Sequence, residues 1–338
     1  GIPLDKIIAI VAIILFTYVN YRGVSLTGKI GNGLTFMQII IIIILIAAGI
    51  YAMTFVNHDW AVNFHHFVPK GITGFVLAMG ITFIAFEGYE IIVQAGEEVK
   101  NPKKNIPRAI FITLGTVVVL YIVFTFAFLG GMDSSKIGKE VWQFIGDNGA
   151  LGIPNAAEYL IPYGTILVYV GGIVSSIAAL SATTFSSSRV SFAMGRQYNL
   201  PYIFSSIHPK YHTPHFAVIA SGFIMLIMAS WLPLEQIALV AGVMFLFLFT
   251  QVNWAGINIR RLYGSKLDYG FKIPLFPLMP IIGIICKAGL AIFLLFYNPL
   301  SWVIAIIWIL IGFSIYKLHI SKKEIQHYAP LVANIGPS

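Results

Sequence analysis

The sequence predicts an all-α, polytopic transmembrane helix bundle, and three observations predict it. Charge is scarce: of 338 residues, 21 are Lys or Arg and 13 are Asp or Glu, against 58% hydrophobic, far below the quarter of charged residues usual in soluble domains. Apolar runs of the length needed to cross a bilayer core, about 20 residues of helix, recur along the whole chain. The basic residues gather in alternate segments between those runs. Such a composition excludes an ordinary soluble enzyme. Disorder is excluded too, because 26 Phe, 16 Tyr and 6 Trp are too many aromatics for an unfolded chain. The formal charge of +8 is dispersed among apolar runs rather than gathered in a basic domain, so no nucleic-acid partner is expected.

Nine spans are expected: Ile7 to Tyr21, Leu34 to Phe55, Ile72 to Ala95, Ile110 to Leu129, Thr165 to Ser187, Phe216 to Trp231, Ile237 to Ile257, Leu278 to Tyr297 and Trp302 to Tyr316. Within the second, Ile39 to Ile46 is β-branched apart from Leu45. That composition favours a strand by propensity, but the apolar run continues far beyond strand length and predicts a lipid-facing helix. With the C-terminus in the cytoplasm, sixteen of the 21 basic residues fall inside, among them Lys100, Lys103, Lys104 and Arg108, and only Lys6, Lys70, Lys136 and Lys139 fall outside. The positive-inside rule therefore orients the chain. Residues 1–320 read as a single transmembrane domain and 321–338 as a short cytoplasmic tail. Nine spans in this orientation start outside, yet the chain opens on Gly1 at the mouth of a span with no signal peptide; it is expected to lack an odd number of upstream helices. The lone Cys286 rules out an internal disulfide and reads as packing.

The third span reads ITGFVLAMGITFIAFEGYEIIVQA and carries Glu87 and Glu90. A carboxylate inside a bilayer must be protonated, paired or facing water, which makes each a functional candidate. Three residues apart, they share one face of a continuous helix, and their mutual repulsion suits proton exchange. The alternative is that both lie near the interface and pair with a cation. Gly88 sits between them with Phe83, Phe86 and Tyr89 around it. A helix opened there frees backbone polar groups that lipid cannot satisfy, so a break is tolerated only against a cavity or ligand, as in secondary transporters.

The string FEGYE followed by GEEVKNPKKNIPRAI strongly resembles the sixth span and following loop of the amino acid, polyamine and organocation permeases. SATTFSSSRVSFAMGRQYNLP at Ser181 to Pro201 is similar to the end of that family's eighth span. Tyr18 to Val24, leading into Lys29, resembles the junction of its fourth and fifth spans. The whole chain thus corresponds to the last nine of twelve family helices. The resemblance implies an inverted-repeat, LeuT-like fold lacking its first three helices, with the substrate held between the unwound middles of the first and sixth helices. It places Phe86, Glu87, Gly88 and Tyr89 in the unwound segment, where a substrate amine meets carbonyls and a gate aromatic, with Phe83 as a further substrate contact. It matches Glu90 to an acidic position that some exchangers use in proton sensing. The other half of the site, the glycine-rich first helix, lies upstream of Gly1. Two departures stand out. Where proton-coupled relatives carry a lysine in the fifth span, this chain has Gln38, which does not titrate. Where several relatives carry an aromatic four residues before the glycine, it has Ile84, so that role falls to Phe83 or Phe86.

Thr183, Thr184 and Ser187 stand in a hydroxyl-rich stretch before Arg189. In sodium-coupled relatives of the broader fold such groups help to hold the ion; the alternative, which accounts for them more simply, is close packing by small residues. Lys287 lies mid-span, either to partner a Glu or to snorkel. His208, His212 and His215, and the group His58, Asp59, His65 and His66, have metal-like spacing, but Pro209 and Pro214 break the first, and interfacial loops are rich in His. No metal site or cofactor is expected. The chain contains no HExxH, GxxxxGK[ST] or GxSxG, so neither enzyme nor ATP-driven pump has motif support. The expected function is a secondary active transporter in the plasma membrane that moves amino acids by alternating access, coupled to protons, less readily to sodium, or by exchange. The alternatives are a polyamine transporter and an amino-acid-binding receptor on the same fold.

Overall fold

The computed structural model describes residues 4–267 and 269–319. The expected tail 321–338, with Lys322 and Lys323, lies outside the described residues. Among those described, every regular element is helical. The α-helices are α1 (Leu4–Arg22), α2 (Val24–Phe55), α3 (Gly71–Thr82), α4 (Glu90–Gln94), α5 (Pro102–Gly131), α6 (Ser134–Ile137), α7 (Val141–Asp147), α8 (Gly152–Leu160), α9 (Gly164–Arg196), α10 (His215–Trp231), α11 (Leu234–Tyr263), α12 (Leu278–Tyr297) and α13 (Pro299–His319). Among the described residues, seven segments are long and apolar enough to cross a membrane, and α10 is a shorter apolar helix of 17 residues. Eight of the nine expected spans fall within single helices, several of which continue past the apolar run, as α9 does to Arg196; the third, Ile72 to Ala95, is interrupted, and the first, Ile7 to Tyr21, lies in α1, which is not among the candidate membrane spans. Helical hydrogen bonding does not stop where the hydrocarbon does, because interfacial residues gain the same i to i+4 bonds.

Two compact units group these elements. One takes in the described residues of Val24–Gly71 and Ile110–Ala182. In it the isoleucine run is helical: Ile41 and Leu45, four apart, are buried to 6% and 4% exposure while Ile40, Ile43 and Ile44 are exposed, which is the helical period and not the alternation of a strand. Ile41 and Leu45 pack with Phe128, Met132, Val141, Ala156 and Ala157 into one core. Helices α2 and α5 cross at glycines. A Cβ on Gly49 would collide with the carbonyl of Ala127, and one on Gly131 would come 2.9 Å from the carbonyl oxygen of Gly49, the close approach that small residues permit in membrane helices. The last carbonyls of α5 lack intrahelical partners. Asn57 donates to those of Gly130 and Met132 at 2.9 and 2.8 Å, and Asn63 to those of Leu129 and Met132 at 2.9 and 2.8 Å.

The other unit takes in the described residues of Gly1–Gly23, Ile72–Ala109 and Thr183–Ser338. There α1 packs on α10, with Gly222 against Thr17 and Thr213 Oγ1 donating to the carbonyl of Tyr21 at 2.8 Å. Helices α11, α12 and α13 enclose a core of Leu239, Val243, Leu246, Ala291, Leu294 and Ala305, against which Phe83 is packed. Near the start of α5, Pro107 has no N–H to offer the carbonyl of Lys103. That carbonyl instead faces Gly270, where any Cβ would collide with it.

Candidate functional site

The third expected span is not one helix. α3 ends at Thr82, a tight 3₁₀ turn covers Phe83–Phe86, and α4 begins only at Glu90. Between them Glu87 is extended (φ −75°, ψ 158°) and Gly88 takes φ +117°, a conformation open to glycine and costly for residues with a Cβ. The interruption expected at Gly88 is therefore present, and it corrects the expectation that Glu87 and Glu90 share a helix face. Glu87 stands outside any helix, whereas Glu90 opens α4 and turns its carboxylate back so that Oε2 accepts the N–H of Gly88 at 2.7 Å. Oε1 of Glu87 is buried and meets no hydrogen-bond donor among the described residues. A buried acceptor left in this way is costly, and a cationic donor or a proton would relieve it.

Aromatic rings line the same segment. Tyr89 stacks on Phe249 of α11, with centroids 5.5 Å apart at 17°, and Phe83 meets the same ring edge-on at 6.4 Å. Phe86 is half-buried in the 3₁₀ turn. Ile84 lines a cavity of about 120 Å³ with Gly80, Glu235, Gly242, Leu294 and Tyr297. Phe249 lies outside every recognised motif, and no local pattern in the sequence marks it. Lys287 does not meet a Glu among the described residues; its ammonium donates to the carbonyl of Phe249 at 3.1 Å.

The segment after α4 is tied to the end of α9. Arg189 pairs with Glu98 at 2.7 Å, Arg196 pairs with Glu97 at 2.5 Å, and the hydroxyl of Ser186 donates to Gln94. Of these, Gln94, Glu97, Glu98 and Arg189 border a cleft of about 450 Å³. The three hydroxyls expected to hold an ion each have a different setting. Thr184 is fully buried with its hydroxyl 3.9 Å from the sulfur of Met225, Ser187 donates back to the carbonyl of Thr184 at 3.2 Å, and Thr183 is exposed on another side of the helix. His208 and His215 join Tyr21 and Tyr211 in a cluster of rings, and among the described residues no group of three His, Cys, Asp or Glu is placed to hold a metal ion.

Comparison with known proteins places this geometry. The profile of the family described as Amino acid permease matches residues 3–315. The methylthioribose transporter of Bacillus subtilis strain 168 is 29% identical over 323 residues, which cover 94% of this chain and 65% of that protein. The branched-chain amino acid permease BcaP of the same organism is 29% identical over 330 residues, 94% of this chain and 64% of that protein. The serine/threonine exchanger SteT, also from B. subtilis, is 29% identical over 296 residues, 84% of this chain and 62% of that protein. The chain thus spans somewhat less than two thirds of the length of these relatives.

Proposed function

The chain belongs to the amino acid permease family, a family of transporters and not of enzymes, and on that premise we propose that it acts as a secondary active transporter moving an amino acid across the plasma membrane by alternating access. Its family and its candidate spans make it a multi-pass membrane protein. Within the proposal, residues 1–320 form one membrane domain on an inverted-repeat fold, with the C-terminus and the tail 321–338 in the cytoplasm.

The observation that carries the reading is the interruption at Glu87–Tyr89, inside the candidate span Gly71–Gln94. Backbone opened in a membrane must face a cavity or a ligand. Glu87, whose buried Oε1 lacks a donor among the described residues, is the contact for a substrate ammonium or for a coupling proton. Phe86 and Tyr89 are contact and gate, Phe83 backs them, and Glu90 is the second candidate for proton coupling. A charge-assisted hydrogen bond to an ammonium suits a buried carboxylate. Sodium coupling through Thr183, Thr184 and Ser187 is the reading with least support, because the Ser187 hydroxyl is donated to the carbonyl of Thr184 and Thr183 is exposed; flux independent of sodium is the expected result.

The relatives named above differ in the solutes their names give, so the solute is found by experiment. The protein, reconstituted in proteoliposomes, is offered branched-chain amino acids, serine, threonine, methylthioribose and a polyamine, each with and without a pH gradient. Uptake or counterflow of an amino acid is the expected outcome. Saturable binding with no counterflow would replace transport by the receptor reading, and uptake of the polyamine or methylthioribose alone would replace the substrate.

A further inference from the structure

We infer that Lys287 is a positioning residue for the interrupted segment, acting on it through Phe249; the inference rests on the transport reading and deepens it. Lys287 is the sole charged residue of α12 and lies within a candidate span, where a cation is retained at a cost of several kcal/mol and ordinarily marks function. Among the described residues it meets no carboxylate. Its ammonium donates to the main-chain carbonyl of Phe249 at 3.1 Å and stands 5.9 Å from the centre of the same residue's ring. That ring is the one on which Tyr89 stacks and Phe83 rests edge-on. Both aromatics flanking the break therefore lean on a single residue of α11, and the charge of α12 holds that residue at its backbone and its ring face.

A snorkelling lysine turns its ammonium toward the nearer interface and water. Here the ammonium is spent on a carbonyl in the interior of a neighbouring helix, in addition to the one bond such a carbonyl accepts within its own helix. The adjacent turn repeats the attachment. Asn253 donates to the carbonyl of Pro280 at 3.4 Å, and Gly283, one turn before Lys287, leaves room for it: a Cβ there would stand 2.5 Å from the Asn253 amide nitrogen. Two polar contacts, one turn apart on α11 and about two turns apart on α12, fix the register of the two helices, and with it the position of the Phe249 ring against Tyr89. An apolar residue at 287 keeps the packing and loses the attachment, so the ring gains freedom and the interrupted segment loosens.

The test uses reconstituted protein with Phe86→Cys as a reporter in a Cys286→Ser background, and the variants Lys287→Met, Lys287→Arg, Phe249→Leu and the Lys287→Met, Phe249→Leu double. Two readouts are taken: the rate at which a water-soluble maleimide labels position 86, and KM and kcat for a transported amino acid measured with Phe86 intact. Lys287→Met and Phe249→Leu are each expected to raise the labelling rate and KM by about threefold or more with kcat changed less. Lys287→Arg is expected to restore both, and the double variant to be no worse than either single, since both remove one contact chain. Labelling and KM unchanged in Lys287→Met, or effects that simply add in the double, overturn the inference. If the parent carries no solute, the transport reading fails, while the labelling rates still decide the role of Lys287.

Discussion

Gly88 donates its backbone N–H to Oε2 of Glu90 at 2.7 Å, so a side chain closes a bond that a continuous helix would have made with its backbone. The bond goes with Glu87 being extended (ψ 158°), with Gly88 at φ +117°, which redirects the chain that follows, and with Glu90 standing at the start of α4. The carboxyl that holds the break thus has Glu87 and Tyr89 as its neighbours in the chain.

Glu90→Gln keeps an acceptor oxygen at the same reach and removes the titration. Transport by this variant is expected to persist within a few-fold of the parent while its pH dependence flattens. Glu90→Ala, which loses the acceptor too, is expected to lose flux. Initial rates in proteoliposomes at several pH values decide it: an undiminished pH profile in Glu90→Gln removes Glu90 from proton coupling.

If Glu87 is the amine contact proposed above, Glu87→Gln replaces a charge-assisted bond to a substrate amine by a neutral one. The difference is about 1.5 kcal/mol, or roughly tenfold in affinity. Isothermal titration or scintillation proximity binding with the transported amino acid is expected to show that loss, and a des-amino analogue is expected to bind parent and variant alike. Equal affinity of both proteins for the amino acid would move the amine contact elsewhere.

Gly49→Ala puts a methyl group against the carbonyl of Ala127, a backbone atom that cannot swing aside. Forcing α2 from α5 is expected to cost about 1–3 kcal/mol. A lower thermal midpoint in detergent, together with full activity in the surviving fraction, is the expected result. Gly33→Ala, where the same methyl meets nothing within 4 Å, serves as the control and is expected to leave the midpoint in place.

Much of this was legible in the sequence because bilayer chemistry is uniform. Ile39 to Ile46 had to be helical once its apolar run exceeded strand length, and the burial of Ile41 and Leu45 follows the helical period. The break was legible because glycine between two intramembrane acids violates every packing preference at once. What the break does to its neighbours was not: whether Glu87 and Glu90 face one way is decided by the positive φ of Gly88, which a periodicity count assumes away. The partner of Lys287 was illegible for another reason. A backbone carbonyl carries no residue-type signal, and the register of α12 on α11 depends on Gly283 admitting Asn253. The short helices α6, α7 and α8 escaped notice because they bury only scattered residues, such as Val141, Ala156 and Ala157, with no long apolar run to mark them.

Asp133 offers a test of the fold beyond the membrane-spanning helices. Its carboxylate accepts the N–H of Ser135 at 3.0 Å at the start of α6 and the hydroxyl of the same residue at 2.5 Å. The Ser135 bonds, with Lys136 nearby, hold its carboxyl below the usual aspartate range. A depressed value in the folded state means that the unfolded chain binds its proton first as pH falls. The stabilisation is therefore complete above about pH 4, the ordinary aspartate value, and is lost as pH drops through the lower folded value. Asp133→Ala is expected to lower the thermal midpoint at pH 7 by the loss of an N-cap, about 1 kcal/mol, and the difference from the parent is expected to shrink toward pH 3. A difference that stays constant over that range would mean that the Asp133 carboxylate contributes by packing and not through its charge.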